Sequence, residues 1–170
     1  MKIIFVINPK AGKGKGIDKL TEKIRSASDK TGIKADIYMT KAAGDAEAFA
    51  DLMGKETEAS GEEVRLIACG GDGTLNEVLN GAIKYENLTV GVVPIGTGND
   101  FCRNFPDDGD FLDMEAQLTG KVIKSDAIRY SGLMAGKEQT RYCANMFNIG
   151  FDCNVVDLTA KLKTYPLIAG

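Results

Sequence analysis

Three glycine-rich stretches hold the residues whose types and spacing could do chemistry: NPKAGKGKG (Asn8 to Gly16), CGGDGT (Cys69 to Thr74) and PIGTGND (Pro94 to Asp100). Glycines let a backbone adopt conformations that a β-carbon forbids, so the chain can approach a ligand closely. Where such a loop opens a helix, the free N–H groups and the positive dipole end favour an anion. Lys10, Lys13 and Lys15 add charge suited to neutralising phosphate oxygens, although lysines on a glycine loop are commonly just solvated. Asp72 is the unusual member. A carboxylate beside a polyphosphate is repelled unless a cation lies between them or it works on a hydroxyl proton. It is therefore the candidate catalytic residue, as a base or as a partner of a cation.

The first stretch is neither of the two best-known phosphate loops. A Walker-type loop needs Gly-Lys followed by Ser or Thr, but Gly14-Lys15 is followed by Gly16. A dinucleotide fingerprint needs GxGxxG, and here the third glycine comes one residue too soon. Each loop also has a plainer reading. The first could be a flexible surface turn. The second could be a tight turn whose Asp72 satisfies backbone donors. In the third, Asn99 and Asp100 could cap a short segment, Phe101 to Phe105. Thr74-Leu-Asn-Glu77 has the S/T-x-x-E form of a capping box, which predicts a helix starting near Thr74.

The elements around these loops follow from hydrophobic spacing. Ile3–Ile7 and Val64–Cys69 are short β-branched or apolar runs, expected as strands buried on both faces. Lys34–Met39 and Thr89–Val93 are two further strands. Ile17, Leu20, Ile24 and Ala27 mark a helix stopped by Gly32. A second helix, capped by Asp45, presents Ala46, Phe49, Ala50 and Met53. A third presents Leu75, Val78, Leu79 and Ala82. Alternating strands and helices predict an α/β fold, a parallel sheet with helices on both faces and its loops gathered beyond the strands' carboxyl ends. From about residue 120 the pattern becomes extended, over Lys121–Tyr130 and Gln139–Ile149, with a turn between Gly132 and Lys137. This suggests a domain of residues 1–120 followed, over 121–170, by the start of a β-rich second domain. The apolar terminus Tyr165–Gly170 reads as a break inside that domain.

Composition narrows the chemistry further. Lys and Arg number 21 against 24 Asp and Glu, a net charge of −3, which argues against a nucleic-acid partner. Four scattered cysteines and no histidine disfavour a zinc site, a disulfide framework and histidine-based nucleophilic catalysis. No apolar run of about twenty residues and no export signal are present, so a cytoplasmic protein is expected. Nothing in the residues sets an oligomeric state.

Taken in order, NPKAG, GGDGTLNEVLNG and PIGTGNDF resemble the catalytic domain of the diacylglycerol and lipid kinases, especially their bacterial soluble branch. Sphingosine kinases are related, and NAD kinases share GGDG more distantly. The resemblance implies an ATP-dependent transferase that phosphorylates a lipid hydroxyl with Mg²⁺, meeting the lipid by transient association with a membrane surface. It places ATP contacts at Asn8, Pro9, Lys10, Ala11, Gly12, Thr40, Gly71, Asp72, Gly73, Thr74, Leu75, Asn76, Glu77 and Thr97. It puts Asp100 at the active cleft. Family members run to about twice this length, and their second domain supplies the lipid-facing side, a further carboxylate and the Mg²⁺ site. The metal ligands are therefore unassigned, and this chain alone is expected to be inactive. Asn148–Asp152 resembles the entry into that second domain. An NAD kinase, or a nucleotide-binding module without transferase activity, are the alternatives.

Overall fold

The computed structural model describes residues 1–105, 110–134, 136–146 and 158. The Asn148–Asp152 motif, the end of the second extended segment and the apolar terminus lie outside them. Four strands, β1 (Lys2–Ile7), β2 (Ala35–Met39), β3 (Val64–Gly70) and β4 (Leu88–Pro94), form an all-parallel sheet in the order β2-β1-β3-β4. In register, Ile7 lies beside both Met39 and Cys69, and Cys69 beside Val93. The loops that follow all four strands therefore emerge at one edge of the sheet.

Four helices cover the two faces, as alternation predicts. On one face, α2 (Asp45–Ser60) and α3 (Asp72–Ala82) bury Ala46, Ala50, Met53, Leu75, Val78 and Ala82 against Ile4, Val6, Leu66 and Ala68. On the other, α1 (Ile17–Thr31) and α4 (Met114–Thr119) bury Leu20, Ile24, Ala27, Met114 and Leu118 against Ile3, Phe5, Ile7 and Ile67. All seven residues of β3 are buried, which is why the run has no polar alternation. Gly32 follows α1 with φ +70°, the left-handed stop expected of it. Arg65, only 9 % exposed, points from β3 to the end of α4 and donates to the carbonyls of Gln117, Leu118 and Gly120.

Beyond α4 the extended segments shift. Residues 121–127 form no strand. The antiparallel hairpin is β5 (Ile128–Met134) and β6 (Lys137–Cys143), so Gly132 lies inside a strand and not in the turn. Two expected caps also move. Gly44 holds the cap position of α2, and Asp45 instead accepts from the Lys41 N–H at 2.8 Å and from the Tyr38 hydroxyl. α3 begins at Asp72 after Gly71, so Thr74 sits within its first turn and forms no capping box with Glu77.

Asp51, midway along α2, ties that helix to the residues just past the end of α3. Its carboxylate accepts from Lys55 (2.8 Å), Lys84 (2.5 Å) and the Tyr85 hydroxyl (2.8 Å). The hydrogen bond from Lys55, then those from Lys84 and Tyr85, holds this carboxyl far below the usual carboxylate range. Its folded pKa lies under the unfolded value of about 3.9, so its stabilisation is complete above that pH and lost as pH falls further. Asp51→Asn should therefore be less stable than wild type at neutral pH, with the gap narrowing once pH drops below about 4. Denaturant unfolding from pH 7 to pH 2 tests this, and a gap independent of pH would contradict it.

Candidate active site

The strand order reverses direction between β1 and β3, and in open α/β sheets the crevice at such a reversal is where ligands bind. The NPKAGKGKG loop leaves β1 and the GGDG loop leaves β3 at this point. Asn8 ties the two together. Its N–H donates to the Cys69 carbonyl at 3.0 Å, and its side-chain Nδ2 donates to Thr74 Oγ1 at 3.2 Å. Its Oδ1 accepts the Lys10 N–H at 3.0 Å, which turns the chain into a short 3-10 segment, Ala11–Gly14. Buried Thr40, at the end of β2, donates its N–H to the Ile7 carbonyl at 2.8 Å.

The PIGTGND loop after β4 is folded onto the GGDG loop. The N–H groups of Ile95 and Gly96 both donate to the Gly70 carbonyl, at 3.0 and 3.2 Å. Asn99, at φ +57°, closes the loop on itself by accepting from the Gly96 N–H and donating to the Gly96 carbonyl. A β-carbon on Gly96 would stand 2.3 Å from the Gly71 Cα, and one on Gly12 would stand 2.8 Å from the Ile95 carbonyl oxygen. Several of these glycines are thus required by the crossing of three loops. Gly73 is different: nothing lies within 4 Å of where its β-carbon would be, so this turn of α3 is open.

Asp72 stands where the loops meet. Its Oδ1 accepts the N–H groups of Asp100 (2.8 Å) and Phe101 (3.3 Å). Asp100 holds the cap position of the segment Phe101–Asn104, as expected, but without a side-chain cap bond: its carboxylate turns to Arg103 at 2.8 Å, and Asp72 takes the first donors. The other oxygens converge on Gly98, whose β-carbon would lie 2.8 Å from Asp72 Oδ2 and 3.8 Å from Asp100 Oδ2. Among the described residues no group of three His, Cys, Asp or Glu side chains could hold a metal. Asp72 and Asp100 are a pair only.

Of the residues marked in the sequence, Asn8, Gly12, Gly71, Asp72, Thr74 and Asp100 are brought into one contiguous cluster. Pro9 and Ala11 lie half-buried in the first loop, Lys10 and Lys15 are exposed on it, and Lys13 belongs to its 3-10 segment. Thr97 is exposed at the tip of the fourth loop. Leu75, on α3, is buried in the core and also lines the crevice beside Asp72. Asn76 donates its side-chain amide to the Tyr142 carbonyl, and Glu77 is half-buried beside it. Asn80, within the GGDGTLNEVLNG stretch but assigned no site role from the sequence, shares that carbonyl. Cys102 was likewise assigned none; it lines the narrow crevice with Gly70, Gly71, Asp72, Pro94 and Asn99. A larger hollow of about 470 Å³ follows the outer edge of β4, past Phe101 and Phe111, and contains none of the marked residues.

Fold and site together define a doubly wound α/β protein whose three glycine-rich loops meet at the carboxyl ends of its strands. The chain belongs to the diacylglycerol kinase catalytic domain family, whose model matches residues 2–130. It is 32% identical over 164 residues to a diacylglycerol kinase of Staphylococcus carnosus (strain TM300), covering 95% of this chain and 49% of that protein. It is 33% identical over 144 residues to a diacylglycerol kinase of Staphylococcus aureus (strain MRSA252), covering 84% and 41%. The crystal structure of a diacylglycerol kinase from Bacillus anthracis str. Sterne superposes with a TM-score of 0.57 at 26% identity, over 81% of this chain and 47% of that one. The chain therefore spans about half the length of the relatives it matches.

Cys102 gives a readout of the site that needs no substrate. Burial first, and then the Asp72 charge, push its thiol up to about 11. Asp72→Asn removes that charge and should speed alkylation of Cys102 at pH 8–9, where the thiolate fraction limits the rate. Peptide-resolved iodoacetamide labelling measures it, and an unchanged or slower rate would show that the two groups do not interact.

Proposed function

We propose that the full-length protein transfers the γ-phosphoryl group of ATP to a lipid hydroxyl such as that of diacylglycerol, with residues 1–120 forming its nucleotide-binding half. The observation that carries this reading is Asp72 itself. It sits at the first residue of α3 with one carboxylate oxygen pinned by two N–H groups and the other beside Gly98, in a crevice lined by helix-opening and glycine-loop backbone. Family membership favours a lipid acceptor over NAD. Among the described residues no helix is long and apolar enough to cross a membrane, which fits a lipid met at the membrane surface.

In this mechanism the backbone donors of the first loop and of the α3 start hold the ATP phosphates, with Lys10, Lys13 and Lys15 reducing their charge. Asn8 keeps those two loops in register through Thr74. Asp72 accepts the proton of the acceptor hydroxyl through Oδ2 as the new oxygen–phosphorus bond forms and the bond to ADP breaks. The Asp100 carboxylate, whose Oδ2 also faces the Gly98 β-carbon position, suits Mg²⁺, which commonly takes one or two carboxylates together with substrate phosphates. When bound, Mg²⁺ would neutralise charge on the transferring phosphoryl group. With Asp72 Oδ1 held by two N–H groups and Oδ2 taking the proton, Asp100 is the residue of this chain that would hold it.

Calorimetric titration of the 170-residue chain with MgATP tests the nucleotide half, and lipid phosphorylation by the full-length protein tests the reaction. Asp72→Asn retains an oxygen able to accept the Asp100 N–H, so the loop should persist while the base is lost. The full-length variant should lose about 10²–10⁴-fold in kcat, the range of a positioned proton acceptor, and bind MgATP nearly as wild type does. A variant with weakened ATP binding and unchanged kcat would remove Asp72 from the proton step. Absence of lipid phosphorylation by the wild-type protein would remove the kinase reading.

A further inference from the structure

α3 carries Asp72 at its start and grips the hairpin with its middle. Asn76 and Asn80 lie four residues apart and so share one face of the helix. Both side-chain amides donate to the Tyr142 carbonyl, at 3.0 and 2.9 Å, and Asn80 Oδ1 accepts the Tyr142 N–H at 2.9 Å. Asn80 Nδ2 also reaches the Asn76 carbonyl at 2.8 Å, which fixes its orientation. Both backbone groups of one β6 residue are thus satisfied by side chains of α3. The neighbouring Arg141 forms a two-point ion pair with Glu47 in the first turn of α2, at 2.5 and 2.7 Å. Just past β6, Asn145 accepts from Asn104, at the end of the segment held by Asp72.

We infer that Asn80, with Asn76, is a positioning residue: it locks β6 onto α3 and so sets how the strand pair leading into the second half of the protein is oriented over Asp72. This rests on the kinase reading. Three physical points support it. A two-stranded hairpin is at best marginally stable alone, so β5 and β6 take their orientation from what they pack on. Asp72 and Asn80 are eight residues apart on one helix, about 12 Å along a rigid axis. A shift at the clamp is therefore carried to the site as a rigid displacement. Finally, the Asn80 pair holds the strand backbone directly at both groups of one residue, whereas the two-point ion pair of Arg141 acts through a long side chain. Asn80 touches neither phosphate loop, so its influence on the reaction would run through this placement.

The test uses the full-length protein and Asn80→Ala, with diacylglycerol vesicles and MgATP as substrates, together with amide hydrogen exchange on the 170-residue chain. The expected result is faster exchange at the Tyr142 N–H, a kcat lowered about ten- to a hundredfold, as small misplacements from the reacting geometry produce, and a KM for MgATP within about twofold of wild type. A merely structural role would lower the unfolding midpoint and leave kcat of the folded protein unchanged. Freed Tyr142 exchange with unaltered kcat would overturn the inference, as would unaltered exchange. Should Asn80→Ala fail to fold, Asn80→Asp keeps the volume and the acceptor for the Tyr142 N–H and loses the donor to its carbonyl, and the same readouts apply. If wild type transfers no phosphate to lipid, the kinase reading fails separately, and the clamp stands or falls on exchange alone.

Discussion

Where Gly96 crosses Gly71 there is no room for one added carbon. The β-carbon that any other residue would place on Gly96 meets the Gly71 Cα at 2.3 Å and its nitrogen at 2.9 Å. That crossing lets the Gly70 carbonyl accept two N–H groups from the opposite loop, and it brings the Asp100 and Phe101 N–H groups onto Asp72. Three consequences depend on it. The end of β4 is fastened to the end of β3, the first turn of α3 is held at a fixed angle to the sheet, and two carboxylates are brought to either side of Gly98. The site is in this sense a by-product of how tightly two loops can be superimposed.

The same contact separates what the amino-acid sequence made readable from what it did not. Buried runs such as Val64–Gly70 and helical spacing such as Leu20, Ile24 and Ala27 declare themselves locally, because a strand buried on both faces is near-continuously apolar and a helix buried on one repeats every 3.6 residues. Family resemblance adds the order of the loops. The caps were less legible. Gly44 and Gly71 stand where Asp45 and Thr74 were expected, because each polar residue has a partner elsewhere: Lys41 and Tyr38 for Asp45, Asn8 for Thr74. Helix α4 offers only Met114 and Leu118 as an apolar face, too short a pattern to stand out, and is held by Arg65 from a strand some fifty residues earlier. Residues 121–127 read as extended but find no partner to pair with among the described residues. Asn80 lies in the GGDGTLNEVLNG motif, but its role was not legible there, since its partner Tyr142 lies 62 residues away.

Glycines in GGDG and GTG read equally well, from sequence, as room for a ligand or as room for another loop. The geometry divides them. Gly12 and Gly96 are filled by neighbouring backbone, whereas Gly73 faces open space at the start of α3. Gly73 is thus the glycine of these loops that leaves backbone exposed in the first turn of α3. The crossing glycines act indirectly, by keeping that turn in place without mobile side chains between the loops.

Asp72 brings together two readings that looked like rivals. As a plain structural residue it would satisfy backbone donors; as a catalytic residue it would face a reacting hydroxyl. A carboxylate has two oxygens, and here they divide the roles: Oδ1 is committed to the Asp100 and Phe101 N–H groups, while Oδ2 lies against Gly98, where a side chain would block it. Pinning one oxygen removes the rotational freedom that a base would otherwise have to lose on reaching its working position. Preorganised groups of this kind need no reorganisation at the moment of reaction. The structural bonds of Asp72 are thus the means by which it could be held ready, and the neutral Asn at this position would separate the two roles because it can keep the first and not the second.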